Sequence, residues 1–260
     1  MHVRSATRPD WGGLALLLLA LIAAAPLWSG PGLINTRAGG DSPFLFIRLH
    51  QLVENLRAGV FPARWMPDAA YGLGYPFFNF YAALPYYFAA AFALIGLDVL
   101  ASLKIVQSLG FALAAWAMYG WGRSSFGGRA QACLAATAYT VAPFHLVNVY
   151  VRGDSLSEFY AFVFYPLILW AVDRVIERPR PRSVALLGLA YGGLILTHNI
   201  SALIFSPFLL LYMVIRDWRL VIGDWRLRRS SRLTHHAPRT THHAPRVTPF
   251  HILHSTFYIL

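Results

Sequence analysis

An all-α, polytopic bundle of membrane-spanning helices is expected for these 260 residues on three grounds. Hydrophobic residues make up 57% of the chain and charged residues 13%, too apolar a balance for a domain whose main solvent is water. The apolar residues gather in continuous Leu- and Ala-rich runs of the length that crosses a bilayer as a helix, roughly 20 residues, instead of alternating over about 10 as membrane strands do. Short Arg-rich stretches separate the runs and can be assigned to one side of a membrane.

The first run, Gly12 to Trp28, follows Arg4 and Arg8, so the N-terminus is expected to be cytoplasmic. Ala23-Ala24-Ala25 offers a small-residue cleavage site, but the many later runs favour a retained signal anchor. A long extracytoplasmic loop, 29–80, comes next. Within it Ser42-Pro43 reads as a helix N-cap followed by proline at the first helical position. Leu45, Leu49, Leu52, Val53 and Leu56 then recur at helical spacing while Arg48, Gln51, Glu54 and Asn55 take other faces, which predicts an amphipathic helix lying on the membrane. Gly72-Leu73-Gly74-Tyr75-Pro76 breaks regular structure, and Phe77, Phe78, Phe80, Tyr81, Tyr86 and Tyr87 form an aromatic belt.

Segment 82–97 is apolar but short and carries Pro85. Treating it as interfacial or re-entrant leaves about six spans: 12–28, 99–121, 130–147, 159–176, 183–198 and 200–215. That count puts Arg123, Arg129, Arg174, Arg178, Arg180 and Arg182 inside, with the 152–158 loop and the Thr197-His198-Asn199 turn outside. A full crossing by 82–97 would move the basic 174–182 loop outside and break the rule. Residues 1–216 are therefore expected to form the transmembrane domain of a multi-pass protein of a cytoplasmic-type cell membrane, with membrane lipid as its surroundings.

Residues 217–260 form a basic, low-complexity tail, expected to be cytosolic and disordered. It includes the near-repeat Thr234-His235-His236-Ala237-Pro238-Arg239 and Thr241-His242-His243-Ala244-Pro245-Arg246. The abrupt change of character predicts a truncated or frame-shifted terminus. The net charge of +11 lies largely in this tail and in loops beside apolar runs, which points to membrane orientation and away from nucleic acid. The single Cys133 offers no disulfide framework or metal spacing.

Two acids at the extracytoplasmic boundary stand out. Asp41 follows Gly39-Gly40 at the start of the amphipathic helix, where a carboxylate can bind a divalent cation, act as a general base, or favour the positive helix end; residue type alone favours the last. Asp154, in Arg152-Gly153-Asp154-Ser155-Leu156-Ser157-Glu158, stands four residues before Glu158. If the following helix begins early the two share a face able to flank a metal or a phosphate-bearing substrate, and loop solvation is the bland alternative. Arg48, His50 and Arg57 add positive or titratable groups beside Asp41, and His198 sits at another extracytoplasmic turn.

A first span, a long loop with an early acid and a membrane-lying helix, and a second acid loop after two further spans resemble the C-type (GT-C) integral-membrane glycosyltransferases. More closely, Gly59-Val60-Phe61-Pro62-Ala63-Arg64-Trp65, Gly72-Leu73-Gly74-Tyr75-Pro76 and Phe80-Tyr81 with Leu84-Pro85-Tyr86 resemble bacterial membrane proteins described as related to 6-pyruvoyl-tetrahydropterin synthase. The soluble synthase uses a histidine zinc site on a small α+β domain, which no segment here provides. The resemblance covers roughly residues 10 to 216. It implies a GT-C-like fold and transfer of a sugar from a polyprenyl-phosphate donor to an acceptor on the extracytoplasmic face. It also implies Asp41 and Asp154 as catalytic and metal-binding acids, holding Mg or Mn. Arg48, His50, Arg152, Glu158 and His198 are substrate-binding candidates by proximity. Such enzymes usually have more spans and often a C-terminal domain, so an inactive fragment of a longer transferase is one alternative. A transporter or flippase is another, and Lys104 and Gln107 within a span are the residues it would use.

Overall fold

The computed structural model describes residues 11–34, 42–152 and 155–233, with side chains to Trp218. Asp41, Asp154 and the paired histidines of the tail lie outside the described residues. Among the described residues regular structure is helical, apart from one antiparallel bridge between Met66 and Tyr75. The helices are α1 (Trp11–Ala24), α2 (Ser42–Arg57), α3 (Phe77–Phe80), α4 (Leu84–Leu94), α5 (Val99–Phe126), α6 (Arg129–Thr140), α7 (Pro143–Tyr150), α8 (Leu156–Glu177), α9 (Pro181–Thr197) and α10 (Asn199–Leu233). A 3-10 turn, Ala25–Trp28, continues α1.

Five helical stretches are long and apolar enough to cross a membrane: Trp11–Trp28, Val99–Phe126, Arg129–Tyr150, Leu156–Glu177 and Asn199–Trp218. Six were expected. The remaining one is α9, apolar but only 17 residues long. Helix α4 has 11 residues, about 16 Å at 1.5 Å per residue, half of what a crossing needs. α10 runs on past Arg216 because residues 217–233 contain no proline and are rich in Arg and Leu.

The spans pair as antiparallel hairpins. α5 turns into α6 through Gly127, whose φ of 73° suits glycine, and the two helices touch where Gly122 meets Ala132. The break between α6 and α7 falls before Pro143, which cannot continue the helical hydrogen bonds. α8 carries Pro166, whose missing N–H leaves the Phe162 carbonyl without its helical donor. The Tyr139 hydroxyl donates to that carbonyl at 2.8 Å, satisfying a polar group that lipid could not. α9 folds back along α8, with Phe164 packed on Gly193 and Leu187, Ala190 and Leu194 sharing a core with Ile168, Ala171 and Val172.

These pairings give the bundle two distinct ends. At one, α2 packs on α4 and α5, and Leu45, Leu49, Leu52 and Val53 share a core there with Tyr86, Val106, Val149 and Phe159. At the other stand Arg123, Arg129, Arg174, Arg178, Arg180, Arg182 and Arg216, beside the α5–α6 and α8–α9 turns and the lower part of α10. Both ends of α4 belong to the α2 end. Its N-terminal Ala82 carbonyl accepts from Ser157 at the start of α8, and its C-terminal turn runs directly into Asp98, the N-cap of α5.

Candidate functional site

The polar side chains at the α2 end are brought together by four elements. Helix α2 contributes Arg48. Because its buried residues repeat at helical spacing, Arg48 falls on the face turned toward the α3–α4 segment, where its guanidinium lies 4.3 Å from the Phe77 ring centroid and 5.8 Å from that of Tyr81. One of its nitrogens also donates to the Tyr86 hydroxyl at 3.4 Å. A planar cation on stacked aromatic faces is held in orientation as well as position. His50, two residues on, is about 200° around the helix. It is exposed and stacked on Phe46 at 6.2 Å, so the structure does not bring it to Arg48.

The α7–α8 connection contributes Arg152 and Glu158. Arg152 donates to the Asn148 side-chain carbonyl at 3.0 Å and pairs with the Glu158 carboxylate. Glu158 stands in the first turn of α8, where the positive end of the helix favours a carboxylate. The α9–α10 turn contributes His198. The Ser201 backbone N–H donates to His198 Nδ1 at 3.2 Å, with the Ser201 hydroxyl 2.6 Å away, so Nδ1 is an acceptor and the neutral ring carries its proton on Nε2. Burial lowers the His198 pKa below its ordinary 6.5; the Glu158 charge acts against that and the Arg152 charge with it. Both charges therefore lie within electrostatic reach of the imidazole. Tyr81 closes the group, its ring 6.4 Å from that of His198.

The structure thus gathers Arg48, Arg152, Glu158 and His198, and leaves His50 aside. The described neighbours of the two acids both stand at the α2 end. Ser42, which follows Asp41, donates to the Ile34 carbonyl at 2.6 Å and lines a small cavity with Ile34, Lys104, Gln107 and Val149. Ser155, which follows Asp154, donates its backbone N–H at 3.0 Å to the carbonyl of Asn148, the residue beside Val149. Glu158 is already engaged by Arg152, which makes it a poor ligand for a divalent cation, and the described residues contain no group of three or more His, Cys, Asp or Glu able to hold one.

The family described as 6-pyruvoyl-tetrahydropterin synthase related domain, membrane protein, matches residues 78–222, more than half of the chain. The chain belongs to this family of membrane proteins. An uncharacterised protein of Lactococcus lactis subsp. cremoris (strain MG1363) is 24% identical over 207 residues, which is 77% of this chain and 33% of that protein. The chain thus spans a third of the length of that curated relative. No solved structure matches it. The family segment takes in Tyr81, Arg152, Glu158 and His198, while Arg48 and the Asp41 loop precede it.

Sequence reasoning missed two arrangements in this family member. Tyr81 was legible only as one aromatic of a belt, whereas it touches both Arg48 and His198. Asp173, near the far end of α8, is fully buried. It pairs with Arg216 Nε at 2.8 Å and accepts from the Tyr212 hydroxyl at 2.7 Å and from Ser125 at 3.3 Å. An Asp inside an apolar run was the available signal.

Proposed function

We propose that this chain is part of a membrane glycosyltransferase that moves a sugar from a polyprenyl-phosphate donor to an acceptor at the extracytoplasmic surface. The observation that supports it most directly is the grouping of Arg48, Arg152, Glu158 and His198 at the α2 end: Ser155, which follows Asp154, donates its N–H to the carbonyl of Asn148, whose side chain holds Arg152, and Ser42, which follows Asp41, lines a small cavity with the neighbouring Val149. Orientation follows from charge. The arginine-rich turns cluster at the end opposite α2, which the positive-inside rule makes cytoplasmic, together with the N-terminus before α1. α9 runs back along α8 to bring His198 level with Glu158, so in this reading it is a sixth crossing, and α4 is half-embedded.

In mechanism, the acceptor hydroxyl gives its proton to the Asp41 carboxylate as its oxygen bonds to the anomeric carbon. The bond from that carbon to the phosphate oxygen breaks, and polyprenyl phosphate leaves with the electron pair. Arg48 and Arg152 supply cationic contacts to the phosphate, and His198 Nε2–H a neutral donor. A divalent cation on Asp41 and Asp154 would supply further charge for the departing phosphate.

A transporter reading gains less support. Lys104 and Asp173, buried ionisable residues within spans, sit toward opposite ends of the bundle, and each is already engaged: Lys104 donates to the Gly30 carbonyl at 2.6 Å, and Asp173 pairs with Arg216. The test is transfer of radiolabelled sugar from polyprenyl phosphate in reconstituted vesicles, run beside a full-length relative. Asp41→Asn should abolish transfer while leaving membrane insertion intact. Full activity in that variant, or cysteine labelling that places positions 41 and 154 on opposite sides of the bilayer, removes the proposal.

A further inference from the structure

Between α2 and α3 the chain makes a strap, residues 58–76, that the proposed transfer chemistry does not use. Its inner side is pinned by polar contacts. Asn55 donates to the Trp65 carbonyl at 2.9 Å, the Asp68 N–H donates to Gln51 at 3.0 Å, and the Ala63 N–H donates to the Tyr87 hydroxyl at 3.1 Å. Met66 and Tyr75 exchange both backbone hydrogen bonds at 2.9 Å, and the Gly74 N–H returns to the Ala69 carbonyl at 2.9 Å. The tip turns through Ala70 and Tyr71 at φ of 52° and 59°, a left-handed region that residues with a Cβ avoid. Gly74, at φ 81°, lies against the Trp65 ring so closely that a Cβ would stand 2.3 Å from it.

A loop so fixed displays a defined surface, and that surface is apolar. Relative exposure is 77% for Phe61, 51% for Trp65, 106% for Tyr71 and 84% for Leu73. Water is a poor partner for such a cluster. The strap's depth can be read from its anchor. Tyr87 receives Phe61 edge-on at 5.9 Å, and the next residue, Phe88, meets Tyr160 at 6.0 Å. Tyr160 lies one turn inside α8, and its hydroxyl donates to Val106, seven residues inside α5. The strap is therefore anchored on the first turn of α4, at the level of the first two turns of the spans α5 and α8, which in a bilayer is where headgroups meet acyl chains. Indole, phenol and aliphatic side chains exposed together suit that boundary, which is wet at one level and oily at the next.

We infer that the strap is a lipid-binding surface that sets Tyr71 and Leu73 into the leaflet on the α2 side, with the exposed Arg64 available to lipid phosphates. This rests on the chain being a membrane protein and not on the transferase reading. The test uses the full chain in nanodiscs of phosphatidylethanolamine and phosphatidylglycerol. In a Cys133→Ser background, Tyr71→Cys and Leu73→Cys are labelled separately with a polarity-sensitive fluorophore, and Glu54→Cys serves as the exposed reference. Both sites point outward, so substitution disturbs little packing. The expected result is blue-shifted emission at 71 and 73, quenched by nitroxide carried near the top of the lipid acyl chain and protected from aqueous iodide. Iodide quenching equal to that at position 54 would show the strap standing in water and overturn the inference. Blue-shifted emission that the lipid nitroxide fails to quench would mean that protein covers it, a second copy or further chain, and would overturn it equally.

Discussion

The Tyr81 ring stands edge-on to the His198 imidazole, 6.4 Å between centroids and 75° between planes, while Arg48 lies 5.8 Å from the same tyrosine. One side chain thus couples helix α2 to the α9–α10 turn. Under the proposed transfer, Tyr81→Ala should weaken binding of the lipid-phosphate donor by about tenfold, the scale of a lost cation–π contact plus a lost aromatic edge contact. Tyr81→Phe should bind normally, because the ring and not the hydroxyl makes both contacts. Titrating a polyprenyl-phosphate analogue into nanodiscs carrying each variant measures this, and an equal loss in both variants would contradict it.

Arg48 gives a second prediction. Its flat guanidinium lies on Phe77 at 4.3 Å and bonds Tyr86, a geometry that a lysine ammonium cannot reproduce. Arg48→Lys should therefore lose binding nearly as far as Arg48→Ala despite keeping its charge, whereas His50→Ala should change it little. Retention of full affinity by the lysine variant would show that charge alone matters at this position.

His198 gives a pH dependence whose sign follows from its lowered pKa. The folded protein resists protonating the imidazole because burial of the ring penalises the charged form, with the Arg152 charge adding to that and the Glu158 charge opposing it. Below pH 6.5 the unfolded chain therefore takes up a proton more readily than the folded one. The stability due to neutral His198 is complete above that pH and is lost as pH falls through the folded value. Thermal unfolding in nanodiscs between pH 8 and 5 should show a fall that His198→Asn reduces. An unchanged pH profile in that variant would assign the fall to other groups.

The spans and α2 were legible because both follow simple periodic or compositional rules: long apolar runs, and Leu45, Leu49, Leu52 and Val53 at helical spacing. His50 shows what spacing leaves open, since it is two residues from Arg48 and stands on a different helix face. Asp173 was missed for another reason. The sequence marked it only as an acid inside an apolar run, and its partner Arg216 lies 43 residues further on, a pairing that the packing of α10 against α8 creates. The α6–α7 break and the Tyr139 contact to Phe162 likewise depend on what proline withholds from the backbone, which the sequence marks without naming the replacement donor.

Asp173 carries its own prediction. It is fully buried and Arg216 is three-quarters buried, so Asp173→Asn leaves a largely desolvated guanidinium whose one other carboxylate partner among the described residues is the exposed Glu177, 3.8 Å away. The loss should be about 3 kcal/mol in reversible unfolding, the scale of breaking a buried pair. Glu177→Gln should be near neutral, because a half-exposed carboxylate at that distance contributes little. Equal effects in the two variants would mean that Arg216 is held by solvent and not by Asp173.

Gly110 offers the sharpest packing test. A Cβ there would stand 2.3 Å from the Phe159 ring, and that ring cannot retreat: it is fully buried, with Phe111 at 4.9 Å and His145 at 4.7 Å on its other sides. Gly110→Ala should therefore push α8 from α5 and cost about 2 kcal/mol by overpacking, even though alanine is the better helix former. Phe159 adjoins Glu158, so the same change should shift the Arg152–Glu158 pair and weaken donor binding as well. Shortening the ring relieves the clash, and Gly110→Ala with Phe159→Leu should be more stable than the sum of the two single losses. Gly188→Ala, where nothing lies within 4 Å of the added methyl, provides the reference for the intrinsic gain. Strict additivity of Gly110→Ala and Phe159→Leu in thermal unfolding would show that the two positions do not touch.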